Sequence, residues 1–366
     1  MKYDIGDKLR NPNGYPVAQF PRGSVATANR YLKSANENMP DIGIVIIGRN
    51  EGERLRQSLE SVAGLGYPTV YVDSGSTDGS AELAKRYCSQ VVQLDAGRPF
   101  SAARARNEGL AVLGRFAPNI HFVQFLDGDC TLDPEWLAQA HEFISRHERA
   151  AIVCGHLRER QASANVFTQL CDIEWQGDVG TIDACGGIFL GRIASLKAVG
   201  MFNESMIAGE EPELCHRLRS GGWRIDRIDT PMAVHESDIR KISQLLQRAR
   251  RCGHSYAHSY HVHRDSPIAF KRRNLVSVIF WGALLPLLVI CLLPFSAMAA
   301  VTALSLYLLL WIRIYFHGVA SSQLTRKLSA LNSSFIVIGK FAQFVGVIDF
   351  YRSLWQKEDF KLIEYK

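Results

Sequence analysis

The stretch HFVQFLDGDC, residues 121–130, carries Phe122, Val123, Phe125 and Leu126 into what reads as a buried strand. It then ends in two aspartates one residue apart, Asp127 and Asp129, with Asp133 close behind. Two carboxylates so near each other repel, and stripping them of water is costly unless a cation or several donors stand between them. The end of this strand therefore calls for a positive charge.

The same kind of run recurs upstream as IGIVIIG (42–48), TVYVDSG (69–75) and SQVVQL (89–94). Near-continuous apolar strands separated by helical patterns indicate a parallel sheet covered on both faces. The expected fold class is therefore α/β: Rossmann-like, with a mainly parallel sheet wrapped by helices. A first helix is expected after Asn50 as N-cap, with Glu53 at the capping-box position and Leu55, Leu59 and Val62 on one face. A second is expected to begin near Asp78-Gly79-Ser80. Ligands of such sheets bind beyond the carboxyl ends of the strands. Asn50, Glu51, Asp73, Asp127 and Asp129 all fall there. Each alone reads equally as a cap or a turn residue; their coincidence on one edge is what indicates a site. A hard divalent cation, Mg2+ or Mn2+, held by one or two carboxylates and bridging to a diphosphate, would supply the missing charge.

A second acidic cluster lies in AGEEPELCHRLRSGGW (208–223). Acids and Pro212 in a first helical turn suit the helix dipole. A carboxylate held there can also take a proton from an attacking hydroxyl. Both readings hold together.

Five motifs, IVIIGRNEGERLRQSLESV, YVDSGSTDGSAELA, ARARNEGL, FLDGDC and GEEPELCHRLRSGGW, come in the order and spacing of the inverting family 2 glycosyltransferases with a GT-A fold. The chain resembles that family over residues 41–235. The resemblance implies a UDP- or GDP-linked sugar donor and a Mg2+ or Mn2+ cofactor. It implies donor contacts from Asn50, Glu51, Asp73, Asp127 and Arg106, with Arg104 as the alternative to Arg106. Asp129 is implied as the firmer metal ligand beside Asp127. Glu211 is implied as the base, with Glu210 and Glu213 assisting, although the family usually carries Glu-Asp where this chain has Glu210-Glu211. In DACGGIFLGR (183–192), Gly186 and Gly187 match a segment where backbone approaches sugar closely. Asp183 and Cys185 stay open between a ligand contact and a plain turn. Gln247, Arg250 and Arg251 resemble the Gln-x-x-Arg-Trp motif of processive members on the acceptor or product side, with Arg251 in place of Trp. His235 stays open between a metal or diphosphate contact and a structural histidine.

The remaining composition bears on location. The chain has 366 residues, a formal net charge of +6 and eight cysteines without a C-x-x-C pair, which read as reduced thiols. The first 40 residues are polar and read as an extended arm, with no signal peptide. From Leu275 to Ile312 no side chain is charged. Because one span takes about 20 apolar residues, this length suits a transmembrane hairpin turning near Pro294. Lys271, Arg272 and Arg273 before it, and Arg313, Arg326 and Lys327 after it, place both ends in the cytosol. Between sheet and hairpin, Ile242, Leu245, Leu246 and Ala249 form an apolar stripe beside several arginines, which reads as a basic helix on an anionic surface. For SSFIVIGKFAQFVGVIDFY (333–351), with Lys340 at its middle, an interfacial helix, a third span and a packing helix all stay open.

The expected domains are thus an arm (1–40), a GT-A domain (41–235), an interface region (236–273), two membrane helices (274–317) and an interfacial or packing helix with tail (318–366). The expected activity is transfer of a sugar to the hydroxyl of a lipid-linked or nascent polysaccharide acceptor, at the cytoplasmic face of the inner membrane. Membrane lipids are expected partners and nucleic acid is not. A polyprenyl-phosphate glycosyl synthase is the alternative within the family, and a catalytically silent nucleotide-sugar-binding scaffold the alternative outside it. A dinucleotide enzyme fits poorly, because no G-x-G-x-x-G follows the first strand.

Overall fold

Four strands, β1 (Ile42–Gly48), β2 (Thr69–Asp73), β3 (Gln90–Gln93) and β4 (Phe122–Asp127), coincide with the four apolar runs to within two residues at either end. The computed structural model describes residues 41–266, 270–320, 324–358 and 360; the expected arm at 1–40 lies outside them. β1 pairs in parallel with β2 on one side and β4 on the other, and β2 pairs in parallel with β3. The registers Gly48↔Asp73 and Ile47↔Asp127 bring the carboxyl ends of β2 and β4 to one level on either side of β1. This is the edge where the chain crosses from one side of the sheet to the other, and where such folds open a crevice.

The sheet then turns mixed. β5 (Cys130–Leu132), β6 (Ala150–Glu159), β7 (Gly180–Thr181), β8 (Phe189–Arg192) and β9 (Arg224–His235) extend it in the order β3-β2-β1-β4-β8-β6-β9-β5, with β7 on β9. β8 runs antiparallel to both β4 and β6. The helices are α1 (Glu53–Ala63), α2 (Ser80–Ala84), α3 (Ala102–Phe116), α4 (Trp136–Arg146), α5 (Val166–Trp175), α6 (Ile193–Ala198) and α7 (Glu210–Ser220). Ile44, Ile46, Val70, Val72, Phe125, Leu126, Leu59 and Leu113 are fully buried between sheet and helices.

Helix α1 corrects one expectation. It starts at Glu53, behind Gly52, and no side chain caps it. Asn50 has φ 55° and instead reaches across to the β2–α2 loop: its Oδ1 accepts from Thr77 N at 2.8 Å, and its own N–H donates to Ser76 Oγ at 2.9 Å. Asp78 Oδ2 in turn accepts from Gly52 N at 3.0 Å. The loops after β1 and β2 are thus stitched together.

Beyond the sheet come α8 (Ile242–His263), α9 (Arg272–Leu292), α10 (Ala297–Ala320) and α11 (Arg326–Gln356). The last three are long and apolar enough to cross a membrane. α9 widens into a π-turn at Phe280–Leu284, two residues before Pro286, which lacks an N–H and crowds the preceding turn. Its connection to α10 contains Pro294 and, with the start of α10, exposes a broad apolar surface, Phe295 being 87% and Met298 81% accessible. A patch of that kind marks a lipid- or partner-facing surface.

α11 lies against the rest of the chain along its length. Phe335 meets Phe167 of α5, Ser329 Oγ donates to Tyr315 O of α10, and Arg250 Nε donates to Asp349 Oδ2 at 2.5 Å. Gly253 and Gly346 let α8 and α11 touch backbone to backbone; a methyl on Gly346 would collide with the Arg250 carbonyl. The buried face of α8 is therefore Gly253, His254, Ala257 and His258, while Ile242 of the expected apolar stripe is exposed. Leu245, Leu246 and Ala249 of that stripe are half-buried, and Ala249 lies beside Gly339 of α11, whereas the deepest burial falls further along α8 where Gly253 and Gly346 allow the closest approach.

Candidate active site

The positive charge that the end of β4 calls for is supplied within the chain by Arg106. Its guanidinium is 2% exposed, donates from Nη2 to Asp127 Oδ1 at 2.8 Å and from Nη1 to Glu210 Oε1 at 2.9 Å, and lies over the Phe202 ring. The placement follows from helix periodicity. α3 is capped by Ser101, whose Oγ accepts from Arg104 N, and it turns Ala103, Arg106, Leu110 and Leu113 inward at helical spacing. As a crossover helix α3 starts at the carboxyl edge of the sheet, so Arg106, one turn in, sits beside the strand ends. Arg104 is used differently: Nε pairs with Glu108, and Nη1 donates to the carbonyls of Asp95 and Arg98, closing the β3–α3 loop. Between the two candidate arginines, it is Arg106 that meets Asp127.

Glu210 and Glu211 open α7, and Gly209 before them takes a left-handed φ of 74°. Glu211 is 5% exposed, and burial holds its carboxyl above the ordinary glutamate range, opposed in part by hydrogen bonds from Cys215 and Cys185. Glu213 does not join this group. Its carboxylate is consumed by Arg217 and by His263 Nε2 at 2.8 Å, tying α7 to the end of α8, which corrects its expected part as a helper.

One loop joins both halves. In Asp183–Ile188, Cys185 N donates to Glu211 Oε1 at 2.6 Å, Gly186 turns the chain at φ 88°, and Gly187 lies on the Arg106–Asp127 pair. A methyl at Gly187 would stand 2.6 Å from Arg106 Nη2 and 3.1 Å from Asp127 Oδ2. Asp183 pairs with Arg219 at 2.8 Å.

Asp129 meets a partner more than a hundred residues away. β5 pairs antiparallel with β9 in the register Cys130↔His235, which sets His235 Nε2 3.2 Å from Asp129 Oδ2. Asp129, Cys130 and His235 each offer a ligand atom within 4.8 Å of the others. His235 Nδ1 is sealed without a hydrogen-bond partner, and Trp175 stands edge-on to the ring. Burial lowers the imidazole below its usual range, so it stays neutral and able to ligate. A carboxylate oxygen and a neutral imidazole nitrogen at the carboxyl edge of the sheet fit Mn2+ or Mg2+.

The other expected residues spread more widely. Asp73 is 1% exposed and closes its own turn, accepting from Gly75 N, Ser76 N and Tyr71 OH. Glu51 pairs with Arg54 at 2.9 Å beneath Gly48 and Gly128. Arg251 donates to Ile207 O, just ahead of the α7 acids. Arg250 is turned to Asp349 and Gln247 is exposed, so these two leave the site and belong to the α8–α11 joint and the surface.

At the carboxyl edge of the sheet Arg106 thus bridges Asp127 of β4 to Glu210 of α7, with Asp129 two residues beyond Asp127 and Glu211 next to Glu210. Residues 43–181 match the family described as Glycosyl transferase family 2. The chain is 26% identical over 194 residues to poly-beta-1,6-N-acetyl-D-glucosamine synthase of Staphylococcus epidermidis, covering 48% of this chain and 45% of that protein. The chain thus spans a little under half the length of the staphylococcal synthases it matches. It is 26% identical over 271 residues to succinoglycan biosynthesis protein ExoA of Rhizobium meliloti, covering 66% and 80%. Among solved structures, the mannosyltransferase PcManGT from Pyrobaculum calidifontis, in complex with GDP-Man and Mn2+, aligns with a TM-score of 0.54 at 16% identity, covering 91% and 96% of the two chains. That likeness establishes the GT-A type of fold.

Proposed function

We propose that the chain is an inverting transferase that passes a sugar from a UDP- or GDP-linked donor to a hydroxyl of a lipid-linked or nascent polysaccharide acceptor at the cytoplasmic face of the inner membrane. The observation that carries this reading is the Asp127–Arg106–Glu210 bridge, which couples the strand-end acids to the α7 acids in one edge of the sheet. The names of the staphylococcal and rhizobial relatives point to polysaccharide acceptors.

Asp129 and His235, with Asp127 beside them, would hold the divalent cation, whose chemistry is to stabilise the charge on the departing diphosphate. Arg106 grips Asp127 by Oδ1, and the Asp127 side chain stays about one-third exposed. Gly187 keeps backbone, without a side chain, over that pair. Asn50, Glu51 and Asp73 shape the crevice loops where the nucleoside would lie. Glu211, with its proton affinity raised by burial, takes the acceptor proton. The proposed division is a catalytic domain at 41–235, a connecting region at 236–273, a membrane hairpin at 274–317 and a packing helix with tail at 318–366. α11 then serves as an interfacial strut, because it packs on α5 and α8 through much of its length.

The test is nucleotide release from a panel of UDP- and GDP-sugars with Mn2+, using membranes that contain the full chain or Glu211→Gln. Release by the wild type and its loss by more than about 100-fold in the variant are expected of a positioned base. A modest loss would favour a phosphate acceptor, which arrives already ionised. No turnover with any donor would favour the silent scaffold.

A further inference from the structure

We infer that Cys185 and Cys215 are positioning residues for Glu211, two neutral thiols that aim its carboxylate and set where it takes up its proton; this rests on the reading of Glu211 as the base. Three donors converge on one oxygen. Glu211 Oε1 accepts from Cys185 N at 2.6 Å, Cys185 Sγ at 3.1 Å and Cys215 Sγ at 3.0 Å, and the two sulfurs stand 3.9 Å apart. Oε2 takes none of these bonds and is not among the sealed, unpartnered side-chain atoms of the described residues. A carboxylate held so firmly by one oxygen has the other in a fixed direction for the acceptor proton.

The cradle is assembled from separate parts of the chain. Cys215 lies one helical turn after Glu211 on α7, so its side chain is stacked on the same face. Cys185 comes from the loop whose Gly187, two residues on, lies on the Arg106–Asp127 pair. Thiols suit the position because they are small, tolerate burial and donate weakly. Both are buried, which pushes the Cys215 thiol up to about 11 and the Cys185 thiol well above its ordinary value, so neither becomes a competing anion near neutral pH. The other charged or titratable groups facing Glu211 are Glu210 on its own helix, Cys154 on β6 and Lys271 ahead of α9. Against burial and Glu210, which favour the protonated acid, the thiol bonds favour the carboxylate.

The experiment reads Glu211 itself. In pH-difference infrared spectra of the full chain in detergent, the carboxylic acid C=O band that disappears in Glu211→Gln reports its protonation. In Cys185→Ala and Cys215→Ala the midpoint of this band should move up by about 0.5–1 pH unit, the worth of one hydrogen bond to a carboxylate. Cys185→Ser and Cys215→Ser, which keep a donor of similar size, should bring it back. Where turnover is measurable, kcat should fall in the alanine variants with little change in KM for the donor. Unchanged midpoints in the alanine variants, or serine variants that shift as far as alanine, would overturn the inference. Full turnover by Glu211→Gln would instead remove the base reading and leave the thiol effect on the midpoint standing.

Discussion

Gly187→Ala is a one-methyl perturbation whose consequence can be worked out from the structure. Gly187 has no left-handed φ to lose, so the effect comes from space alone. The new methyl stands 2.6 Å from Arg106 Nη2, closer than carbon tolerates, and 3.1 Å from Asp127 Oδ2, a tight contact. Arg106 is buried and held at both ends, so its guanidinium cannot swing aside without lengthening the 2.8 Å bond to Asp127. Overpacking of this kind costs about 1–3 kcal/mol. The charge-assisted bond adds about 1 kcal/mol after discounting for Asp127, whose side chain is 33% exposed. If the whole of roughly 2–4 kcal/mol falls on the transition state, kcat/KM drops by about 30- to 1000-fold. The assay is nucleotide release from the preferred donor, repeated in an Arg106→Ala background. There the methyl meets only Asp127 Oδ2, which is free to give by a few tenths of an ångström, and Gly187→Ala should cost less than about threefold more. The same large factor in both backgrounds would refute the reasoning.

Other outcomes follow from the same geometry. The carboxyl of Glu211 binds its proton more tightly in the folded chain than when unfolded, so protonation adds stability at low pH that is lost as pH rises through the folded value. Activity has the opposite sign: kcat/KM should be full above that value and fall below it, with an acidic limb above the ordinary glutamate range. Glu211→Gln should therefore be at least as stable as wild type in thermal melts at neutral pH while losing turnover; a marked loss of stability would contradict this. Arg250→Ala should cost only about 0.5–1 kcal/mol, because the pair with Asp349 is partly exposed, and should leave donor affinity unchanged by titration calorimetry. Gly346→Leu should separate α8 from α11 and lower the melting temperature far more, since the side chain collides with the Arg250 backbone.

The strands and their acidic ends were legible because a parallel sheet writes itself as apolar runs, and because ligands gather where those runs stop. Arg106 was legible as a candidate, yet only packing separates it from Arg104: three residues before Gly109 it faces the sheet, whereas Arg104 faces its own loop. The Asp129–His235 pairing was not legible, since it depends on the register of two strands far apart in sequence. The only local signal was a histidine at the end of the last strand. Glu213 sits in an acidic run that looks uniform in sequence, yet helical phase turns it to Arg217 and His263. Gln247 and Arg250 lie on a helix whose inward face is chosen by α11, and no pattern within α8 records that choice.

The most direct measurement is calorimetric binding of GDP-mannose and of UDP-N-acetylglucosamine to the full chain in detergent, with and without Mn2+, for wild type, Asp129→Ala and His235→Ala. Binding of at least one donor should need the cation in the wild type and should fall at least about tenfold in each variant, the worth of one ligand or its support. Equal affinity in all three proteins, whether or not Mn2+ is present, would contradict a cation held between Asp129 and His235 at the edge of this sheet.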